Sequence, residues 1–249
     1  MIFKQFFHKT SCTYTYLIAD KKGAEACLID PVLDDTHKYL KIIKNLDLKL
    51  LKVIDTHIHA DHISGNYILK DKTDCEIIMG KSESSAEIAS IQVKDRELVS
   101  IGKLKLETFF TPGHTNDSYS FKMKDRVFTG DALLISGTGR TDLQGGDPSK
   151  SYYSIFNILL KFKGSTLIYP AHDYKGKKFS TIEIEKKTNP RLQVKSKKEY
   201  IDIMNNLKLP NPKLMDIAVP INKNFNLLLD KNSKYPSELK RKLNNIKII

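Results

Sequence analysis

The 249-residue chain has no run approaching the roughly 18 consecutive apolar residues a membrane-spanning helix needs. That excludes an integral helical membrane protein, and no membrane partner is expected. The opening Met1-Ile2-Phe3-Lys4-Gln5-Phe6-Phe7 is apolar but short, and no small-residue cleavage site follows a long apolar stretch, so no secretory signal is expected. Cysteine is scarce. Cys12, Cys27 and Cys75 are widely spaced and form no CxxC pair, which argues against a disulfide framework and for a reducing compartment, the cytoplasm. Each reads as a small buried hydrophobe. The chain also lacks an internal repeat, a long linker and any basic stripe interleaved with aromatics.

What remains is a globular composition, 40% hydrophobic and 28% charged, long enough for a sizeable core. The net charge of +12 comes from scattered lysines, thickest at Lys175–Lys178, Lys195–Lys198 and Lys240–Lys242. Without aromatic interleaving this reads as a solvated surface rather than a nucleic-acid footprint. Such a field still favours a small anionic substrate.

Alternating and continuous apolar runs predict strands over Tyr14–Ala19, Ala24–Ile29, Leu50–Asp55, Glu76–Met79, Leu104–Phe110, Ser118–Met123, Val127–Thr129 and Thr166–Tyr169. Helical spacing appears over 34–46, near 65–70, over 82–89, over 149–162 and over 197–206. His37, on the first of these helices, reads as a surface residue. The prolines at 210, 212, 220 and 236 predict an irregular tail wrapping the domain. Strand–helix alternation with antiparallel hairpins suggests an α+β chain folded as an αββα sandwich.

Four strands run into histidine or aspartate: Val53-Ile54-Asp55-Thr56-His57-Ile58-His59-Ala60-Asp61-His62, Thr111-Pro112-Gly113-His114, Phe128-Thr129-Gly130-Asp131 and Tyr169-Pro170-Ala171-His172. If all four lie in one sheet, their ends meet along one edge. Alternation of an extended chain would point His57, His59 and Asp61 to one side, and His62 can fold back toward the same space. Imidazole and carboxylate together suit a borderline transition metal. By chance, a lone histidine at a strand end is usually structural, but the four motifs in concert are not a chance set. Seven candidate ligands could hold two metals, as His57, His59 and His114 for one and Asp61, His62 and His172 for the other, bridged by Asp131. Such a pair would activate water for hydrolysis.

Thr56-His57-Ile58-His59-Ala60-Asp61-His62 resembles the signature of the metallo-β-lactamase fold superfamily, which implies two β-sheets between helices with metal at the sheet edges. Phe128–Gln144, with its Gly139-Arg140-Thr141-Asp142-Leu143-Gln144, is similar to the persulfide dioxygenases, as are Tyr169–Gly176, Thr188–Leu192, Ile203–Leu207 and Asp216–Pro220. The likeness covers about residues 12–222, expected as the catalytic domain 1–222. Residues 223–249 have no recognised counterpart and are expected as a tail or extra helix over 225–229 and 236–249.

The resemblance implies one Fe(2+) per chain, held by His57, His114 and Asp131, with His59, Asp61, His62 and His172 orienting the ligands and bound water. Two imidazoles and a carboxylate leave three coordination positions open. The implied reaction, part of sulfur metabolism, oxidises glutathione persulfide with O2 and water to sulfite and glutathione. Redox-inert zinc could not supply it. Arg140, Tyr174 and Arg191 are the implied substrate contacts, with an Arg140–Asp142 pair, a structural Arg191 and a packed tyrosine as the competing readings. Relatives often carry cysteine where Thr138 stands and a basic residue where Ser136 stands. A homodimer is a further implication. The alternative is a glyoxalase II-like binuclear zinc hydrolase of glutathione thioesters, against which stands the missing C-terminal helical domain of that enzyme.

Overall fold

The computed structural model describes residues 1–83, 85 and 87–225. Two six-stranded sheets face each other. The first runs in sequence order: β1 (Ile2–His8), β2 (Thr13–Ala19), β3 (Glu25–Ile29), β4 (Lys49–Ile54), β5 (Glu76–Gly80) and β6 (Ile91–Val93). Its first three strands are antiparallel and the rest parallel. The second holds β7 (Leu98–Ile101), β8 (Leu104–Phe110), β9 (Tyr119–Lys122), β10 (Arg126–Gly130), β11 (Leu167–Pro170) and β12 (Ser180–Thr181). Only β10 and β11 are parallel there.

Side-chain alternation divides each strand between two cores. Tyr14, Tyr16 and Ile18 of β2 meet Ile54, Phe121, Phe128 and Tyr169 between the sheets. Leu17 and Ala19 face outward onto α1 (Thr36–Asn45) through Tyr39 and Ile43, and Leu69 of α2 (Asn66–Thr73) joins the same core. Behind the second sheet, Val127 and Ile168 are covered by Ile155, Leu159, Ile182 and Tyr200. These come from α3 (Pro148–Tyr153) with the helical turns that continue it, and from α4 (Ile182–Thr188) and α5 (Lys197–Asn205). Helices therefore cover both outer faces, as the αββα expectation requires.

Several local expectations change. The four motif-bearing strands belong to two sheets, β4 to the first and β8, β10 and β11 to the second. The metal-type side chains meet where the sheet edges come together rather than along one edge. Segment 1–8, read only as a short apolar stretch, is an edge strand paired along its whole length with β2. The described residues of 82–89 form turns tied by the Ser85 hydroxyl to the Gly80 carbonyl (2.7 Å) rather than a helix. The helix over 149–162 tightens and widens in turn, passing from α-helix to a π-helical segment at 154–158 and a 3-10 turn at 159–161.

The proline-rich segment is not irregular throughout. Met215–Lys223 is a helix, α6, with Pro220 inside it. Its Ala218 and Ile221 pack on Leu33, Ile63 and Ile68, and just beyond it Phe225 stacks on Tyr67 at 4.0 Å. That burial outweighs the local cost of an interior proline, about 3 kcal/mol. Apart from Phe225, the expected helix over 225–229 and 236–249 lies outside the described residues. Among those residues no helix is long and apolar enough to cross a membrane.

Candidate metal centre

The loop after β4 carries His57 to His62, and the backbone binds it to the second sheet. Tyr119 N–H donates to the Thr56 carbonyl (2.9 Å). The parallel β10 and β11 register Gly130 against Pro170, so Asp131 and His172 leave the sheet side by side. Tyr14 N–H donates to the Ala171 carbonyl (2.6 Å), and Thr13 bridges His172. The turn at Pro112-Gly113 swings His114 back over the edge. Gly113 has φ +139°, and a Cβ there would lie 2.3 Å from the Ser151 backbone. Gly139 is held equally close: a Cβ would lie 2.2 Å from the Asp131 carbonyl and 2.8 Å from His114 Nδ1.

The side chains form two adjacent clusters. In the first, one ligand-type atom each from His57, His114 and Asp131 lies within 4.8 Å of the others, with His114 Nε2 3.5 Å from Asp131 Oδ2. In the second, His59, Asp61 and His62 do the same. The His57 ring touches both, with centroids 5.0 Å from His114 and 4.2 Å from His59.

The tautomers of the first cluster follow from its hydrogen bonds. His114 Nδ1 lies 2.8 Å from the Arg140 carbonyl, which only accepts, so Nδ1 carries the proton and Nε2 the lone pair. The Thr56 hydroxyl donates to Asp30 (3.0 Å) and so accepts from His57 Nδ1–H (3.0 Å), again freeing Nε2. Burial, reinforced by the charge of His59, holds the His57 imidazole well below its usual range and thus neutral. Burial pushes Asp131 up, but His172 and its hydrogen bond outweigh it and keep the carboxyl well below the carboxylate range. Two imidazole Nε2 lone pairs and one ionised oxygen at this spacing fit a divalent cation.

In and beside the second cluster, carboxylates engage at least one nitrogen of each imidazole. His172 donates from Nδ1 to Asp131 Oδ1 (2.7 Å) and from Nε2 to Asp61 Oδ2 (2.9 Å). Burial works against its charge, but the two carboxylates raise it well above the usual range, making it an imidazolium clamped between them. Asp61 Oδ2 also meets His62 Nδ1 at 3.0 Å. His59 Nε2 bonds Asp30 (3.1 Å); burial lowers this imidazole, but Asp30 outweighs it and the group rises to about 9. Two buried ring nitrogens, His59 Nδ1 and His62 Nε2, have no partner among the described residues.

Of the expected substrate contacts, Tyr174 is exposed (70%), its ring parallel to His172 with centroids 6.1 Å apart. Arg140 pairs with both oxygens of Asp142 (2.6 and 2.7 Å) and donates to the carbonyls of Leu209 and Pro210. Arg191 donates to the carbonyl and hydroxyl of Thr138, and burial lowers its guanidinium. His37 lies at the surface.

Sequence reading missed the residues that hold the loop. Asp30, at the end of β3, accepts from Thr56 N–H (2.7 Å), the Thr56 hydroxyl and His59. Asp117 accepts from Ile58 N–H (2.9 Å). Asn222 of α6 donates to the carbonyls of His59 and His62 (2.9 and 2.8 Å) and accepts from Ser64 N–H. The available signals were the Asp30-Pro31 strand end and the family-like stretch just before Asn222.

A sequence profile of the metallo-β-lactamase superfamily matches residues 13–172. The mitochondrial persulfide dioxygenase ETHE1 of Mus musculus is 44% identical over 225 residues, 89% of this chain and 87% of the relative. The Homo sapiens protein is 43% identical over the same shares. The crystal structure of ETHE1 from Myxococcus xanthus superimposes with a TM-score of 0.87 at 48% identity, covering 90% of this chain and 98% of that one. A hydroxyacylglutathione hydrolase of Dictyostelium discoideum is 32% identical over 171 residues, 65% of this chain and 62% of the relative. With nearly the whole chain aligned to one group and a shorter, weaker match to the hydrolase, this chain belongs to the metallo-β-lactamase superfamily and, within it, to the persulfide dioxygenases.

Proposed function

We propose that the chain oxidises glutathione persulfide with O2 and water to glutathione and sulfite at a single Fe(II) held by His57, His114 and Asp131. One observation carries the ligand set: both histidines of the first cluster have Nδ1–H fixed on an oxygen acceptor, so both keep Nε2 free within a cluster that includes Asp131. When bound, iron would supply a redox-active centre with positions for sulfur and O2 together. The chain's own residues orient that centre. Thr56 and the Arg140 carbonyl fix the imidazole planes, and His172 holds Asp131 by its other oxygen.

Tyr174, at the exposed side of His172, is the substrate contact most open to an incoming ligand. Arg140 would take a glutathione carboxylate only by releasing Asp142 or the 209–210 carbonyls. Arg191, tied to Thr138, would act by fixing the loop that carries Gly139 and Arg140. We place the enzyme in the cytoplasm as a homodimer, a state that sedimentation tests.

The test is anaerobic purification, Fe(II) loading, metal analysis and an oxygen electrode. One iron per chain, O2 uptake with glutathione persulfide and formation of sulfite support the reading. Two tightly held zinc ions and no O2 uptake after Fe(II) loading overturn it. His59 Nδ1 and His62 Nε2, without a partner among the described residues, favour a second reading, the binuclear zinc hydrolase, which hydrolysis of S-lactoylglutathione would support.

A further inference from the structure

A carboxylate is buried in the helical layer behind the second sheet, away from the metal-type side chains. Glu185 of α4 is fully buried, and its partners are all neutral donors. Oε2 accepts from the Ser136 backbone N–H (2.8 Å) and from the Asn189 side-chain amide (2.8 Å). Oε1 accepts from the Ser180 hydroxyl (2.6 Å). Among the described residues no cation pairs with it. A carboxylate without a counter-ion is costly to bury, and an apolar side chain of similar size would serve the packing of α4 at least as well. What the carboxylate adds is direction, because it fixes one backbone N–H of a neighbouring loop.

That loop supports two of the proposed metal ligands. Gly139 N–H donates to the Asp131 carbonyl (2.9 Å), which closes the segment 131–139, and the next carbonyl, that of Arg140, accepts from His114 Nδ1–H (2.8 Å). The segment turns at Ser136, whose φ of +56° lies in the left-handed region that residues with a side chain disfavour. Leu134 N–H donates to the Gly137 carbonyl (3.1 Å) across the turn. The rest of the hold comes from α4 and the residues that end it. Glu185 takes the Ser136 N–H, Asn189, also fully buried, donates to the Gly137 carbonyl (2.9 Å), and Arg191 donates to the Thr138 carbonyl. Residues 136, 137 and 138 are thus each fixed from the same helix end, just before the chain meets His114. Ile182 anchors α4 in the apolar layer. The helix therefore sets where the Arg140 carbonyl stands, and that carbonyl sets which nitrogen of His114 keeps its lone pair.

We propose that Glu185 and Asn189 are positioning residues for the metal centre: through the 136–138 turn they hold the Arg140 carbonyl on His114 Nδ1–H and so keep His114 Nε2 free for the ion. The proposal rests on the ligand set of the reading above. Neither residue hydrogen-bonds His57, His114 or Asp131; both act through the loop backbone.

The experiment compares full-length wild type, Glu185→Ala, Glu185→Gln and Asn189→Ala. Ring 15N spectra are recorded on the metal-free chains at about pH 8, where an ordinary imidazole is neutral, and Fe(II) affinity is measured by competition with a chelator. In wild type both His57 and His114 show a protonated Nδ1 and an unprotonated Nε2. In Glu185→Ala the His114 ring populates both tautomers, while His57, held by Thr56, keeps its signals. Fe(II) affinity falls about tenfold, at the low end of what losing the support behind a ligand costs. Glu185→Gln restores both readouts, since its amide oxygen still accepts from Ser136 and its NH2 donates to the Ser180 oxygen. Asn189→Ala loses the Gly137 bond but leaves Glu185 its bonds to Ser136 and Ser180. It gives the same change in smaller measure and decides the matter if Glu185→Ala does not fold.

A merely structural role lowers the melting temperature and moves both rings or neither. Unchanged His114 signals in the folded variants, equal changes in the two rings, or no recovery in Glu185→Gln overturn the positioning role. Full Fe(II) affinity in His114→Ala removes the ligand set instead. The ring comparison needs no iron and still decides whether α4 orients His114.

Discussion

Two groups of metal-type side chains draw on one loop, yet they are built differently. His57, His114 and Asp131 are brought together from three strand ends in two sheets, and each imidazole is held by an oxygen acceptor that leaves Nε2 free. His59, Asp61 and His62 lie within four consecutive positions, but their neighbours claim them. Asp61 Oδ2 is shared by His62, His172 and Thr13, and His59 is drawn to Asp30. Residue type alone would make the clusters equivalent. The difference comes from the groups behind them, which decide where a lone pair points and whether a carboxylate oxygen is already saturated.

The sharpest break in this comparison is His57→Ala. With one of three ligands gone, iron should fall from one per chain to near zero and O2 uptake by more than about a thousandfold, read by metal analysis and an oxygen electrode. Retained iron would show that the first cluster is not the site.

The next effect lies behind the second cluster, where Asp30, Asp55 and His59 converge within 4.8 Å. Burial first, and Asp30 in the same direction, raise the Asp55 carboxyl to about 7, against the opposing pull of His59 and the bonds from Ser64 and Asn66. The folded chain thus binds this proton more tightly than the unfolded one. The resulting stability is complete below about pH 4, the unfolded value, and is lost as pH rises to about 7. Urea melts of the metal-free wild type should lose on the order of a few kcal/mol across that window relative to Asp55→Asn, which has no proton to lose there. Parallel pH profiles for the two proteins would sink the assignment.

The same contrast explains what the sequence made legible. His57–His62, His114, Asp131 and His172 stood out because each follows a hydrophobic run and a local turn signal, all within a few residues. Sheet membership did not, because β4 and β10 have similar apolar runs and only pairing partners distant in sequence separate them. Helix α6 was read as irregular from Pro220, since the face that stabilises it meets Leu33, Ile63 and Ile68 from the other end of the domain. Asp30 and Asn222 carry only indirect marks, a strand end and a family-like stretch nearby, and Asp117 carries none; their roles exist only once the loop is folded over them.

A smaller effect tests whether such supports tune the first cluster. Thr56→Val keeps the side-chain shape but removes the acceptor of His57 Nδ1–H and the donor to Asp30. Iron affinity should weaken by about 10- to 100-fold, measured by competition with a chelator, and Thr56→Ser should recover most of it. An unchanged affinity would mean that packing rather than this hydrogen bond orients the ring.

The smallest effect separates the clusters most directly. His62 touches Asp61 and Thr13 but neither His57, His114 nor Asp131 by hydrogen bond, and its Nε2 has no partner among the described residues. If only the first cluster holds metal, His62→Ala leaves iron near one per chain. O2 uptake then falls by less than roughly tenfold, under about 1.4 kcal/mol of barrier, because the change reaches Asp131 only through Asp61 and His172. A binuclear centre would answer differently: removing His62 would strip the second ion, halve the metal content and take the activity with it. The same substitution therefore reads the number of metals and the direction in which the loop's influence travels.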